Sequence, residues 1–210
     1  MNSVPKFNLE EGKFLVRLAR QSVEFFLKNK KYPSLPNTYP ENLNKTVGIF
    51  VTLSTFANGN LRGCIGYPYA FGPLIELCVS ASIKAACEDP RFECVQLEEL
   101  DNIVFEVTIL SPMILLDKNK PYEEQIEIGR DGLLVVCDSY GKSGLLLPQV
   151  AVEWEFDKKT FLKEVCRKAN AYDDCINDKN CKFYRFESQI FKEVSPNSDI
   201  KEEVLNERNI

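Results

Sequence analysis

The hexapeptide from Leu61 to Gly66 carries the residues of this sequence that are best suited to chemistry. It reads Leu-Arg-Gly-Cys-Ile-Gly. An extended strand alternates its side chains between two faces, so Arg62 and Cys64 share one face, and Leu61 and Ile65 share the other. A cysteine thiolate is a nucleophile, and a nearby arginine both lowers the pKa of a thiol and binds carboxylates or phosphates. The pattern predicts a functional site on this strand.

Three interpretations of Cys64 are open. In the first, Cys64 is a catalytic nucleophile. Because the chain has no histidine, its general base would be Glu106, Asp89, Asp131 or a lysine. In the second, the thiol contacts a ligand without reacting. In the third, it fills a small space in the core, and Arg62 forms a structural ion pair with Glu106 or Asp89.

Two glycines, Gly63 and Gly66, accompany these side chains. Glycine weakens a strand, so its presence predicts either unusual backbone angles or the close approach of another backbone or a ligand. We expect both positions to reject even alanine.

The hexapeptide resembles the signature of the AMMECR1 domain family, and further segments resemble that family in the same order. These segments are Asp89 to Phe92, Glu106 to Ser111, Ile128 to Leu133, Leu146 to Ala151 and Phe161 to Ala169. The resemblance covers nearly the whole chain. It implies a two-lobed single α+β domain over residues 1–194, in which both chain ends form the larger lobe and a middle segment forms the smaller one.

The resemblance implies a class of function. The family is similar to accessory components found with MEMO-type and radical SAM proteins in prokaryotes, which favours a binding or accessory module by association. Its cleft would surround the strand at 61–66 and recognise a small ligand or a partner protein. The residues predicted to line that cleft are Arg62, Gly63, Cys64, Gly66, Asp89, Arg91, Glu106, Asp131 and Gln149.

The alternative function is a cysteine-dependent enzyme that uses Cys64 on an acidic or phosphorylated substrate. An accessible thiol with a depressed pKa would favour the enzyme, whereas a buried and inert thiol would leave only binding.

The composition limits the classes of partner. The 26 basic and 31 acidic residues give a net charge of −5, which predicts that the protein does not bind nucleic acid. No apolar run approaches the ~18 residues of a membrane helix, and Met1 to Glu11 lacks a secretory signal pattern, so a cytoplasmic protein without a membrane partner is expected. Neither a P-loop nor a dinucleotide fingerprint is present, and no cofactor is expected.

The eight cysteines do not follow a metal-binding spacing. None forms a Cys-x-x-Cys pair, so no metal is predicted. In a reducing cytosol most are expected to be small buried hydrophobic residues, among them Cys78, Cys87 and Cys166. Cys175 and Cys181 lie in one loop, and whether they pair is left open.

Local signals predict the elements that position the site. Asn8 is expected to cap a first helix whose polar face includes Arg17 and Arg20, and Pro73 to begin a second helix that Pro90 ends. Asn58-Gly59 predicts a hairpin that joins the strand at 47–53 to the signature strand. Further strands are predicted at 105–110, 133–138, 145–147 and within 182–194, with a loop at 140–144 and a helix after Asp157.

These elements do not alternate strictly, which predicts an α+β fold with a mixed or antiparallel sheet and packed helices. Residues 195–210 are polar and are expected to form a poorly ordered tail.

Overall fold

The computed structural model describes residues 6–138, 141–171 and 175–203. Over these ranges the chain divides into two compact units. The first contains residues 6–110 and 189–203, and the second contains residues 111–188 apart from the two gaps. Each unit has its own hydrophobic core.

Helices and antiparallel strand pairs make up both units, which confirms the α+β fold class. The described strands are β1 (Ile49–Thr55), β2 (Leu61–Tyr67), β3 (Ile103–Leu110), β4 (Ile114–Leu115), β5 (Gly132–Cys137), β6 (Lys142–Leu146), β7 (Cys181–Phe186), β8 (Ser188–Glu193) and β9 (Ile200–Glu203). The described α-helices are α1 (Leu9–Asn29), α2 (Leu74–Cys87), α3 (Pro148–Glu153) and α4 (Lys158–Lys168). No helix in the described ranges is both long enough and apolar enough to cross a bilayer.

The first unit is built on a sheet with the strand order β2-β1-β3-β8-β9. The signature strand β2 is an edge strand that pairs antiparallel with β1. Helices α1 and α2 pack against this sheet, and Ile49, Val51 and Leu53 of β1 are fully buried in the core that they form. Alternate residues of β1, Phe50 and Thr52, are only partly buried and lie on the opposite face.

The start of α1 follows the predicted capping box. The side chain of Asn8 accepts a hydrogen bond from the backbone N–H of Glu11 at 3.0 Å, and Glu11 Oε2 accepts one from the N–H of Asn8 at 2.7 Å. The predicted polar face of this helix is wrong at Arg20, which is buried and paired with Glu193 of β8 at 2.6 Å. Glu193 lies 173 residues further along the chain, so helical periodicity contains no sign of it.

The hairpin between β1 and β2 is also confirmed. Gly59 has a φ of +70°, a left-handed conformation that glycine adopts without steric cost.

The second unit has the strand order β4-β7-β5-β6, with α4 packed against β5 and β6. The loop expected at 140–144 is wrong over its second half, because β6 begins at Lys142 and pairs with Cys137. Residue 140 lies outside the described residues. Pro148, expected to end a strand, also begins α3, where its fixed φ fits the first helical turn.

Part of the predicted polar tail is ordered in the first unit. Ile200–Glu203 forms β9, which pairs antiparallel with β8, and Ile200 is buried. Backbone hydrogen bonds hold an edge strand whatever the polarity of its outward side chains, so composition alone was misleading here. Residues 204–210 of that prediction lie outside the described residues.

The cysteines differ most from expectation. Cys87 pairs with Cys94, Cys137 with Cys181, and Cys166 with Cys175. Cys87 and Cys166 are therefore not free thiols, and Cys175 and Cys181 do not pair with each other. All eight cysteines lie in the described ranges, and the two without a disulfide are Cys64 and Cys78, of which Cys78 is buried as predicted.

Candidate functional site

Cys64 lies in a row of side chains that crosses the first sheet. Thr52 on β1 is the register partner of both Cys64 on β2 and Glu106 on β3, so the three side chains share one face. The hydroxyl of Thr52 donates a hydrogen bond to Cys64 Sγ at 3.4 Å. Beyond Glu106, the row continues to Lys192 on β8, whose Nζ lies 3.3 Å from Glu106 Oε2.

Asp89 fixes the loop after α2 to this row. Its side chain is buried, and its Oδ2 accepts a hydrogen bond from the backbone N–H of Cys64 at 2.8 Å. Pro90 disfavours helical geometry at Asp89, which ends α2 and frees this side chain to reach β2. The hydrogen bonds from Arg91 hold the pKa of Asp89 well below its usual range, and the N–H of Cys64 adds to this effect.

Arg91 is the exposed member of the pair. Its Nε and Nη2 donate to the two oxygens of Asp89 at 2.9 and 2.6 Å, while 52% of its side chain is accessible to solvent. The hydrogen bond to Asp89 raises the pKa of Arg91, and Nη2 also lies 3.5 Å from the carbonyl oxygen of Cys64. The second terminal nitrogen, Nη1, is not part of the pair. Asp89 thus holds a partly exposed guanidinium in a fixed position beside the signature strand.

The thiol of Cys64 is not activated in this setting. Burial raises the pKa of Cys64 above its ordinary value, and the negative charge of Glu106 adds to this increase. The hydrogen bond from Thr52 and the positive charge of Arg91 act in the opposite direction but are smaller effects. Near neutral pH the group is therefore a protonated thiol, which is a poor nucleophile. We refer to Thr52, Cys64, Asp89, Arg91 and Glu106 as the Cys64 cluster.

Arg62 has a structural role in this arrangement, but not with the expected partners. Its Nε and Nη2 donate to the carboxylate of Glu99 at 3.0 and 3.2 Å, and its Nη1 donates to the carbonyl oxygen of Glu93 at 2.9 Å. The expected pair with Glu106 or Asp89 is wrong. Glu99 lies in a short 3-10 helix at Leu97–Asn102, which the strand and helix patterns did not reveal.

The two signature glycines are required by close approaches and not by unusual angles, since neither has a positive φ. A Cβ at Gly63 would lie 2.0 Å from the carbonyl oxygen of Ala85 in α2. A Cβ at Gly66 would lie 2.4 Å from the carbonyl oxygen of Ile49 and 2.3 Å from the ring of Phe50. The absence of a side chain at Gly63 lets the C-terminal turn of α2 pack directly on β2.

The remaining two predicted site residues belong to the second unit and have their own contacts there. Asp131 is fully buried, accepts a hydrogen bond from the N–H of Glu127 at 2.8 Å, and forms ion pairs with Arg130 at 2.7 Å and Arg185 at 3.2 Å. Gln149 lies in α3, and its buried Oε1 has no hydrogen-bond partner among the described residues.

Sequence reasoning missed Thr52 and Lys192, which the structure places in the row with Cys64. The signal for Thr52 is the alternation of apolar and polar residues along β1, which already predicts a second, more polar face. Lys192 offers no such signal, because its position depends on the pairing of a strand from the other end of the chain.

Comparison with known proteins supports the resemblance found in the motifs. The AMMECR1 family model matches residues 16–191. Protein MJ0810 of Methanocaldococcus jannaschii is 47% identical over 199 residues, which cover 94% of this chain and 97% of that protein. Protein PH0010 of Pyrococcus horikoshii is 45% identical over 206 residues, covering 95% and 98% respectively. The crystal structure of PH0010 matches with a TM-score of 0.88 at 43% identity, covering 94% of this chain and 98% of that one. This chain belongs to the AMMECR1 family.

Proposed function

We propose that this protein is a binding or accessory module and that the Cys64 cluster is its recognition surface. The observation that carries the proposal is the double role of Asp89. One buried carboxylate ties down the backbone of Cys64 and clamps the partly exposed Arg91. A guanidinium that is held in place before binding loses less conformational freedom when it binds, which favours recognition.

The chemistry of Arg91 indicates the kind of group that is recognised. Arginine carries five N–H donors in a planar fork, and the pair with Asp89 uses Nε and Nη2. The Nη1 group is left out of this pair on a side chain that is 52% exposed, and it is suited to a second acceptor. We propose a carboxylate or phosphate group, carried by a small ligand or by an acidic side chain of a partner protein.

The alternative of a cysteine-dependent enzyme is disfavoured by the state of its nucleophile. Catalytic cysteines have depressed pKa values, whereas burial raises the pKa of Cys64. A binding role needs no thiolate and no general base.

The proposed partners are the MEMO-type and radical SAM proteins that the family resemblance implies, and the proposed location is the cytoplasm. The acidic balance of the chain supports a protein partner over nucleic acid. These assignments depend on family association and composition, and the binding measurement below tests the partners directly.

The test compares Arg91→Lys with Arg17→Ala, a control on the exposed surface of α1. Binding is measured by calorimetry with citrate and inorganic phosphate as small probes, and by biolayer interferometry with a purified MEMO-type protein and a purified radical SAM protein. Loss of the planar fork should weaken binding about tenfold or more while Arg17→Ala has no effect. Circular dichroism confirms that both variants are folded. Binding by the two variants with equal affinity, or no binding by the wild-type protein in any arm, contradicts the proposal.

A further inference from the structure

Four of the eight cysteines gather in the second unit, although they are far apart in the sequence. Cys137 ends β5 and Cys181 begins β7, where the two are direct cross-strand partners. Cys166 lies in α4, and Cys175 begins a short 3-10 helix at Cys175–Asn177. Four separate elements thus each contribute one sulfur to the same core, and all four side chains are buried.

The sulfur positions approach the geometry of a metal site. The Sγ atoms of Cys137, Cys175 and Cys181 all lie within 4.8 Å of one another. The disulfide between Cys166 and Cys175 holds a fourth sulfur beside this group of three. Four thiolates at about 2.3 Å from a tetrahedral Zn²⁺ are separated by about 3.8 Å, so the bonded pairs would move apart to this spacing on reduction. No separation among Cys137, Cys175 and Cys181 would have to shorten by more than about 1 Å.

We propose that these four cysteines, once their two disulfides are reduced, form a tetrahedral binding site for Zn²⁺. Four thiolates around one cation are the ligand set of closed structural zinc sites, and soft sulfur ligands select Zn²⁺ over Mg²⁺ or Ca²⁺. The absence of Cys-x-x-Cys spacing does not oppose the site, because its ligands come from paired strands and a packed helix. A reducing cytoplasm, the location proposed above, keeps cysteines in the thiol state that this site requires.

The interconversion is balanced by a dithiol reductant. Each of the two disulfides accepts two electrons and two protons from one dithiol, which closes to its own disulfide, and four cysteine thiols result. Binding of Zn²⁺ then displaces the four thiol protons and forms four Zn–S bonds. The disulfide form and the zinc form therefore exclude each other.

The other cysteines provide internal controls. Cys87 and Cys94 form an isolated pair in the first unit, and Cys78 is a single buried thiol there. Neither arrangement offers four sulfurs, so the full chain should bind one metal ion.

The first experiment uses the full wild-type chain. The protein is reduced with a phosphine under metal-free conditions and titrated with Co²⁺, which is then displaced by Zn²⁺. We expect about one Co²⁺ per chain with the intense visible absorption of tetrahedral thiolate coordination, lost on addition of one equivalent of Zn²⁺. Protein kept in its disulfide form should bind neither ion. Native mass spectrometry provides an independent count of bound metal.

The second experiment compares two double variants under the same conditions. Cys137→Ser with Cys175→Ser should abolish the tetrahedral spectrum, while Cys87→Ser with Cys94→Ser should retain it in full. Circular dichroism reports whether each variant folds. If the Cys137→Ser, Cys175→Ser variant does not fold, the titration of the wild-type protein still decides the proposal. The proposal is overturned if the reduced wild-type protein binds no stoichiometric Co²⁺ or Zn²⁺, or if bound Co²⁺ gives an octahedral spectrum. It is also overturned if the protein holds iron with labile sulfide in place of zinc, or if a folded Cys137→Ser, Cys175→Ser variant binds metal as wild type does.

Discussion

Replacement of Gly63 by alanine tests whether β2 must pack directly on the backbone of α2. The added Cβ would lie 2.0 Å from the carbonyl oxygen of Ala85 and 3.0 Å from its carbonyl carbon, whereas ordinary contact begins at 3.4 Å. The obstacle is helix backbone and not a flexible side chain that could move aside. Either β2 or the last turn of α2 must therefore shift by more than 1 Å, which loosens a fully packed core.

The magnitude follows from two opposing terms. Overpacking of this kind costs about 1–3 kcal/mol of unfolding free energy, and occasionally more. Alanine also restricts the unfolded chain, which recovers about 0.4–1 kcal/mol. We expect a net loss of roughly 0–2.6 kcal/mol, with a central value of about 1.3 kcal/mol. For a chain of this length, each kcal/mol lowers Tm by about 2–4 °C.

The measurement is guanidinium unfolding followed by circular dichroism, with Gly72→Ala as the matched control. Gly72 has no positive φ, and its nearest neighbour to a new Cβ is the flexible end of Glu76 at 3.9 Å, so that variant should be neutral or slightly stabilised. A Gly63→Ala protein as stable as Gly72→Ala, at unchanged m-value, would refute the close-packing argument.

Three further outcomes are expected. Arg20→Ala should lower the free energy of unfolding by about 3–5 kcal/mol because it leaves the buried Glu193 without its partner, and Arg62→Ala should lower it less because Glu99 is partly exposed. Arg17→Ala should stay within about ±0.5 kcal/mol of wild type. Chemical denaturation measures this order, and an equal effect of Arg20→Ala and Arg17→Ala contradicts it. Because the pKa of Cys64 is raised, its reaction with a disulfide reagent, measured as the difference between wild type and Cys64→Ser, should be slower at pH 8 than in the unfolded chain and should rise with pH. A rate plateau below pH 8 would instead support the enzyme. Because folding lowers the pKa of Asp89, wild type should be more stable than Asp89→Asn by its full margin above a pH of about 4, which is near the pKa of Asp89 in the unfolded chain. This margin should shrink as the pH falls below that pKa. A difference in stability that does not change with pH argues against the clamp on Arg91.

The sequence alone determined the features that depend on contacts within a few residues. The capping box at Asn8 and Glu11, the hairpin at Asn58-Gly59 and the end of α2 before Pro90 are each specified by local backbone chemistry. The period-two alternation along β2 likewise predicts that Arg62 and Cys64 share one face of the strand. The motifs also identified the family, because they occur in order along nearly the whole chain.

Only the tertiary structure decided which side chains are partners. Arg62 pairs with Glu99, 37 residues away, and Arg20 pairs with Glu193, 173 residues away. The pairing of Cys137 with Cys181 depends on the register between β5 and β7, and a slip of one residue would turn the two side chains to opposite faces. Which carboxylate pairs with an arginine, and which cysteine with another, follows from the packing of elements that are distant in the sequence. Many carboxylates and cysteines along the chain fit the local sequence patterns equally well. The sequence could therefore propose the members of the site, while their partners were set by how the strands and helices come together.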